Sequence, residues 1–149
     1  MTVANLLDKK GREVVSIHQD AIVYEAMQLL IEKNIGSLLV MDDKGEVMGI
    51  LCERDILRSA FKAQANCKGL GVAQIMTPRE KLVVAGEQDA LESLMDAMTE
   101  KHIRHIPIVS KEGKPTGLIS IGDLVKAQLS DKDYEIRYLK DYISHGYPG

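Results

Sequence analysis

Tryptophan is absent from this chain, phenylalanine occurs once, and aromatic residues make up 4% of it. That removes the stacking platform on which single-stranded nucleic acid is usually held, and leaves a core built from aliphatic side chains and seven methionines. Cysteine is scarce as well. Cys52 and Cys67 are the only two and have no C-x-x-C spacing, which argues against a zinc site or a disulfide framework and for reduced thiols in a cytoplasm. No apolar run approaches the ~20 residues of a membrane span. The opening Met1-Thr2-Val3-Ala4-Asn5 lacks the basic and apolar regions of a signal peptide. A cytoplasmic protein with no membrane partner is expected. A surplus of cations is also missing: 19 Lys and Arg stand against 22 Asp and Glu, a net charge of −3. DNA or RNA binding is therefore not expected, because it rests on clustered cations neutralising phosphates.

What is present is a repeat. The 149 residues are 45% apolar and 28% charged, the make-up of a soluble globular protein. Displacing the chain by 68 positions pairs Val15 with Val83, Met27 with Met95, Glu32-Lys33 with Glu100-Lys101 and Ile35 with Ile103. The same displacement pairs Gly45 with Gly113, Gly49 with Gly117 and Asp55 with Asp123. One further residue of shift aligns Val3–Leu7 with Val72–Met76. An internal duplication takes precedence over other readings. Copies of about 60 residues have marginal cores alone, so the two are expected to share a buried face.

Each copy reads as strand–helix–strand–strand–helix, an α+β fold with three strands and helices on one face. In the first, a helical turn over 3–8 precedes a strand at Val14–Ile17, and Asp20 caps a helix running to Asn34. Strands at Ser37–Met41 and Val47–Leu51 flank a turn, and Asp55 opens a helix over Ile56–Ala63. In the second, a strand at Lys81–Ala85 follows the loop Met76–Glu80. Asp89 and Glu92 resemble a capping box, and Leu91, Leu94, Met95, Met98 and His102 form one helical stripe. A hairpin around Lys111–Pro115 follows, then a helix from Asp123. From Leu129 to Ile143 the helical pattern continues, with Tyr134, Tyr138 and Tyr142 four residues apart. This added helix either docks or dimerises, or folds back on its own domain. The expected division is 1–68, 69–128 and a helical extension over 129–149.

The chemistry concentrates at the second hairpin. One strand opens with Arg104 and His105, and its neighbour closes with Ser120 and Asp123. Phosphate donors at one strand end beside ribose-type acceptors at the next make a nucleotide clasp. An ionised Asp accepts hydrogen bonds from two ribose hydroxyls; an Asp between a strand and a helix is equally an N-cap. His102-x-x-His105 has no thiol or carboxylate at ligand spacing, so no metal is expected. Nor is there a nucleophile–base set or a phosphate loop, so no catalytic residue and no catalytic cofactor is expected.

The duplicated pattern, with Arg104-His105-Ile106-Pro107-Ile108-Val109, Gly117-x-x-Ser120-x-x-Asp123 and the lead-in Ile75-Met76-Thr77-Pro78, resembles a tandem pair of cystathionine-β-synthase (CBS) domains, a Bateman module. The likeness covers residues 1–128, and Leu6 to Arg12 is similar to the start of small stand-alone bacterial pairs. The resemblance implies two copies packed through their sheets about a pseudo-twofold axis, with two clefts that take AMP, ADP, ATP, S-adenosylmethionine or NAD(H). It also implies a homodimer and a regulated partner of unknown identity. Each cleft is composite in the family. Carried over, Asp123, Ser120, Arg104 and His105, with Ile106 and Pro107 beside them, face Arg12–Val15, including Val14, and Ile35, Gly36 and Ser37. Asp55 and Arg54 face Thr77 and Lys81–Val83. Lys10, Gly11 and Arg12 either add phosphate donors or form a solvated loop. Cys52 and Gly36-Ser37 stand where the second copy has Ser120 and Arg104-His105, so the clefts are expected to differ. A degenerate pair acting as a ligand-free scaffold is the alternative.

Overall fold

The computed structural model describes residues 1–63, 69–141 and 143, the side chains of 131–135, 138 and 141 excepted. Cys67, Lys68 and Tyr142 lie outside the described residues, as do the side chains of Tyr134 and Tyr138.

Helix α1 (Val3–Lys10) leads into β1 (Ser16–His18), α2 (Val23–Lys33), β2 (Ser37–Met41), β3 (Val47–Cys52) and α3 (Glu53–Lys62). The second copy begins with the short helix α4 (Val72–Ile75) and strand β4 (Thr77–Pro78), and a 3-10 turn follows over Arg79–Lys81. Then come α5 (Leu91–Lys101), β5 (His105–Val109), β6 (Pro115–Ser120) and α6 (Ile121–Asp141). The sheets are β1-β2-β3-β4 and β5-β6. β2 pairs antiparallel with β3 and β5 with β6, each through an irregularity one residue before the strand's end, at Val40/Met41 and Ile108/Val109. The strand expected at Lys81–Ala85 is reduced to one parallel bridge, Ala85 with Ile108. Its counterpart in the first copy is β1, which pairs Ile17 with Val40.

Helix starts differ from expectation, since neither Asp20 nor Asp89 is an N-cap. The N-caps of α2 and α5 are Ile22 and Ala90, neither with a side-chain cap. Asp89 Oδ2 accepts from the Gly86 N–H at 2.9 Å. Both helices end on a left-handed residue, Asn34 (φ 53°) and His102 (φ 54°), the conformation that stops a helix and redirects the chain. His102 therefore terminates the helix and is not the last residue of its stripe. The expected extension takes the form of a continuous α6, unbroken from Ile121 to Asp141.

The copies exchange their lead-in helices. Val3, Leu6 and Leu7 of α1 lie in the second copy's core with Leu91, Leu94, Met98, Ile106, Ile119 and Leu124. Reciprocally, Val72 of α4 is buried with Val23, Leu30, Leu38 and Leu51 of the first copy. Backbone bonds anchor both: Val3 N–H donates to Asp89 O (2.9 Å) and Val72 N–H to Ala21 O (2.9 Å). Close approach is possible because both sheets carry glycine at the crossing. A Cβ on Gly49 would lie 2.4 Å from Thr77 O, and one on Gly117 would lie 2.7 Å from the Leu7 side chain. Between the sheets a third apolar cluster joins Val14 with Leu82, Met41 with Val109, and Ile50 with Leu118. Each pair stands in the 68-residue relation, so equivalent positions of the two copies meet about a pseudo-twofold axis. Burial of an aliphatic side chain at such positions stabilises by about 1.5–3 kcal/mol. No helix of the described residues is long and apolar enough to cross a membrane.

Candidate functional site

Where β6 passes into α6, Ser120 and Asp123 cap the helix reciprocally. Asp123 N–H donates to Ser120 Oγ (3.1 Å) and Ser120 N–H donates to Asp123 Oδ2 (2.9 Å). Ser120 is thus the cap and Asp123 the third helical residue, a capping box. Lys10, at the end of the exchanged helix α1, reaches this carboxylate: Nζ donates to Asp123 Oδ2 (2.6 Å) and to Leu118 O (2.7 Å). Burial pushes the Asp123 carboxyl up, but the hydrogen bonds from Lys10 and Ser120, with the charge of Lys10, hold it below its ordinary value. These residues, with Glu13, Val14, Val15, Ile35, Gly36, Ser37, Leu118 and His105, line a cleft of about 250 Å³ between the copies.

The equivalent junction of β3 and α3 is simpler. Cys52 N–H donates to Asp55 Oδ2 (2.9 Å), and among the described residues no lysine pairs with this carboxylate; β4 lies along β3 here. Burial raises the Asp55 carboxyl above its ordinary value, against the Cys52 hydrogen bond and the charge of Arg58. Burial, with the charges of Asp55 and Glu53, also pushes the Cys52 thiol up to about 11, so it stays protonated at neutral pH. The cleft here is larger, about 360 Å³, and its charged walls are Glu53, Arg54, Asp55, Arg58, Lys81 and Arg104. Thr77, Val83, Gly36 and His105 also line it. His105 and Gly36 thus border both clefts. Burial lowers the His105 pKa, with Lys10 and Arg104 acting the same way and Asp123 opposing them.

The structure brings together Asp123, Ser120, Lys10, Val14, Ile35, Gly36, Ser37 and His105 in one cleft, and Asp55, Arg54, Thr77 and Val83 in the other. Five expected residues fall elsewhere. Arg104, expected beside Asp123, lines the Asp55 cleft. Its carbonyl accepts from Ile121 N–H (2.8 Å), so its backbone faces its own copy while its side chain serves the other. Arg12 is held outside both clefts by Asp8 (2.7 Å) and Glu87 (2.8 Å). Gly11 caps α1 with a φ of 101° and lines neither cleft. Ile106 and Pro107 are buried in β5, Ile106 in the second core, and line neither cleft. Glu53, Arg58 and Ile50 line the Asp55 cleft without having been singled out, and so does His102, which the sequence reading assigned to the helix stripe. Arg58 follows Arg54 by four residues, a same-face helix spacing that was legible. Among the described residues no group of three or more His, Cys, Asp or Glu is arranged to hold a metal ion.

This fold of exchanged copies with two interfacial clefts defines a class. The CBS domain family profile matches residues 8–62 and 72–130, and the chain belongs to that family as a tandem pair. The mitochondrial CBS domain-containing protein CBSX3 of Arabidopsis thaliana is 31% identical over 152 aligned positions, which span 98% of this chain and 73% of that protein. The crystal structure of a CBS-domain containing protein of Agrobacterium tumefaciens matches with a TM-score of 0.80 at 36% identity, covering 85% of this chain and 92% of that one. The crystal structure of CBSX2 in complex with AMP matches with a TM-score of 0.71 at 26% identity, covering 88% and 98%.

Proposed function

We propose that this chain is a regulatory module that binds an adenosine nucleotide, AMP, ATP or NAD(H) among them, between its two CBS domains. The observation that carries this reading is the composite cleft. A carboxylate in the first turn of one copy's helix faces the lead-in segment of the other copy, so an occupant touches both. Such a ligand favours one relative arrangement of the copies, and a regulated partner reads that arrangement. The AMP complex of CBSX2 supports the same ligand class. Binding is the role proposed for these residues.

Self-association belongs to the same reading. Val125, Leu129, Ile136 and Leu139 are all about half exposed on α6, at spacings of four, seven and three residues that keep them on one side of the helix. A second copy of α6 covers such a stripe.

The test is thermal melting with AMP, ATP, NADH and S-adenosylmethionine. A ligand at ~100 times its Kd adds about 2.7 kcal/mol, and each kcal/mol moves the midpoint by about 2–4 °C at this size. An unmoved midpoint with all four favours the second reading, a ligand-free scaffold. The observation on its side is that Lys10 already occupies the Asp123 carboxylate.

A further inference from the structure

We propose that the two clefts are unequal: the Asp55 cleft takes a nucleotide with a chain of two or more phosphates, one per chain, while Lys10 holds the Asp123 cleft closed to it. This rests on the nucleotide reading above and adds which cleft and which ligand charge. Four cations, Arg54, Arg58, Lys81 and Arg104, line the Asp55 cleft against two carboxylates. The Asp123 cleft has one cation, Lys10, against Glu13 and Asp123. A polyanion is attracted to the first and repelled by the second, and lower salt strengthens the difference because the cations are solvent-exposed.

The donors of the Asp55 cleft are also unspent. Among the described residues, none of its four cationic side chains makes a hydrogen bond or an ion pair within 4.0 Å. Three are arginines, whose planar forks bind phosphate oxygens in pairs. In the other cleft Lys10 is already bonded to Asp123 and to Leu118 O. The carboxylates differ in the same way. Asp123 Oδ2 accepts from both Lys10 and Ser120, whereas Asp55 accepts from Cys52 N–H alone and keeps its remaining lone pairs for ribose hydroxyls. The larger cavity is the one with the open carboxylate, about 360 against 250 Å³.

Calorimetric titration of the full chain with adenosine, AMP and ATP tests this. The expected result is one ATP per chain, bound at least tenfold more tightly than AMP, with adenosine weaker still. Arg104→Ala, an exposed change, weakens ATP at least tenfold and leaves adenosine within twofold. Asp55→Asn, which keeps an acceptor for Cys52 N–H, weakens all three ligands, while Asp123→Asn leaves ATP within twofold. Lys10→Met opens the second cleft to the uncharged ligand, raising the adenosine stoichiometry to two, and leaves ATP at one per chain, because Glu13 and Asp123 remain there without a cation. Two ATP per wild-type chain, an unchanged ATP affinity in Arg104→Ala, or loss of ATP in Asp123→Asn but not in Asp55→Asn overturns the inequality and leaves the nucleotide reading standing. A wild-type chain that binds none of the three overturns both.

Discussion

Lys10 Nζ lies 2.6 Å from Asp123 Oδ2, joining the last residue of the exchanged helix α1 to the first turn of α6 across 113 positions of sequence. The contact ties the exchange of lead-in helices to the chemistry of a cleft. Among the described residues no such tie exists at Asp55, and the two pseudo-equivalent carboxyls are displaced from their ordinary value in opposite directions, Asp123 downward and Asp55 upward.

Removing the ammonium tests that tie. Lys10→Met keeps the apolar stem and is expected to destabilise the chain by about 1 kcal/mol, the scale of a partly exposed pair. NMR titration of Asp123 in the variant should show its pKa rising toward the ordinary value; an unmoved pKa would mean that the pair does not form in solution.

The opposed shifts predict opposed pH dependences. Asp123, depressed in the folded state, contributes stability that is present above the unfolded value of about 3.9 and lost as pH falls through its lower folded value. Asp55, raised in the folded state, contributes stability that is present below that unfolded value and lost as pH rises through its higher folded value. Near neutral pH, Asp123→Asn should cost about 1–2 kcal/mol, on the scale of hydrogen bonds to a charged group, and Asp55→Asn should be neutral or stabilising. Urea melts repeated in acid should bring both differences toward zero.

His105 reports on both clefts at once. Its pKa lies below the ordinary imidazole value because of burial, with Lys10 and Arg104 adding to the effect and Asp123 opposing it. Proton NMR should therefore find it rising in Lys10→Met and Arg104→Ala and falling in Asp123→Asn. The same shift in all three variants would contradict the arrangement of charges around it.

The glycine crossings predict a graded series. Gly49→Ala sets a Cβ against the backbone oxygen of Thr77 and Gly117→Ala against the side chain of Leu7; backbone yields less, so Gly49→Ala should be the more destabilising. Leu7→Ala alone should cost about 2–5 kcal/mol as a buried truncation. Combined with Gly117→Ala it should cost less than the sum, because the added methyl enters the vacated space. A double-mutant cycle by denaturant unfolding measures the coupling.

On α6, Ile136→Lys and Leu139→Lys should leave the fold intact, since both side chains are about half exposed, and should abolish self-association in sedimentation equilibrium. Unchanged mass would place the dimer contact elsewhere.

Much of this fold was legible because the signals were local and occurred twice. Gly45 and Gly113 turn matching hairpins, and strand β2 runs over the residues that the flanking turn chemistry marked, Ser37–Met41. The start of α5 was displaced because Asp89, a good cap in sequence, spends its carboxylate on Gly86 N–H. Two features were not legible. The stripe of α1 is apolar whichever core receives it, so its exchange into the second copy is settled by long-range packing. Likewise Arg104 is close to Asp123 in sequence, yet the pseudo-twofold carries its side chain to Asp55. The aspartates themselves were legible from the repeat; that Lys10 engages one and leaves the other open was not.

The most direct measurement is native mass spectrometry of the full chain with ATP near saturation. The account predicts a mass increase of one nucleotide per chain in the wild type, lost in Asp55→Asn and retained in Asp123→Asn. A chain that carries no nucleotide under those conditions, or one whose nucleotide survives Asp55→Asn and disappears in Asp123→Asn, would contradict it.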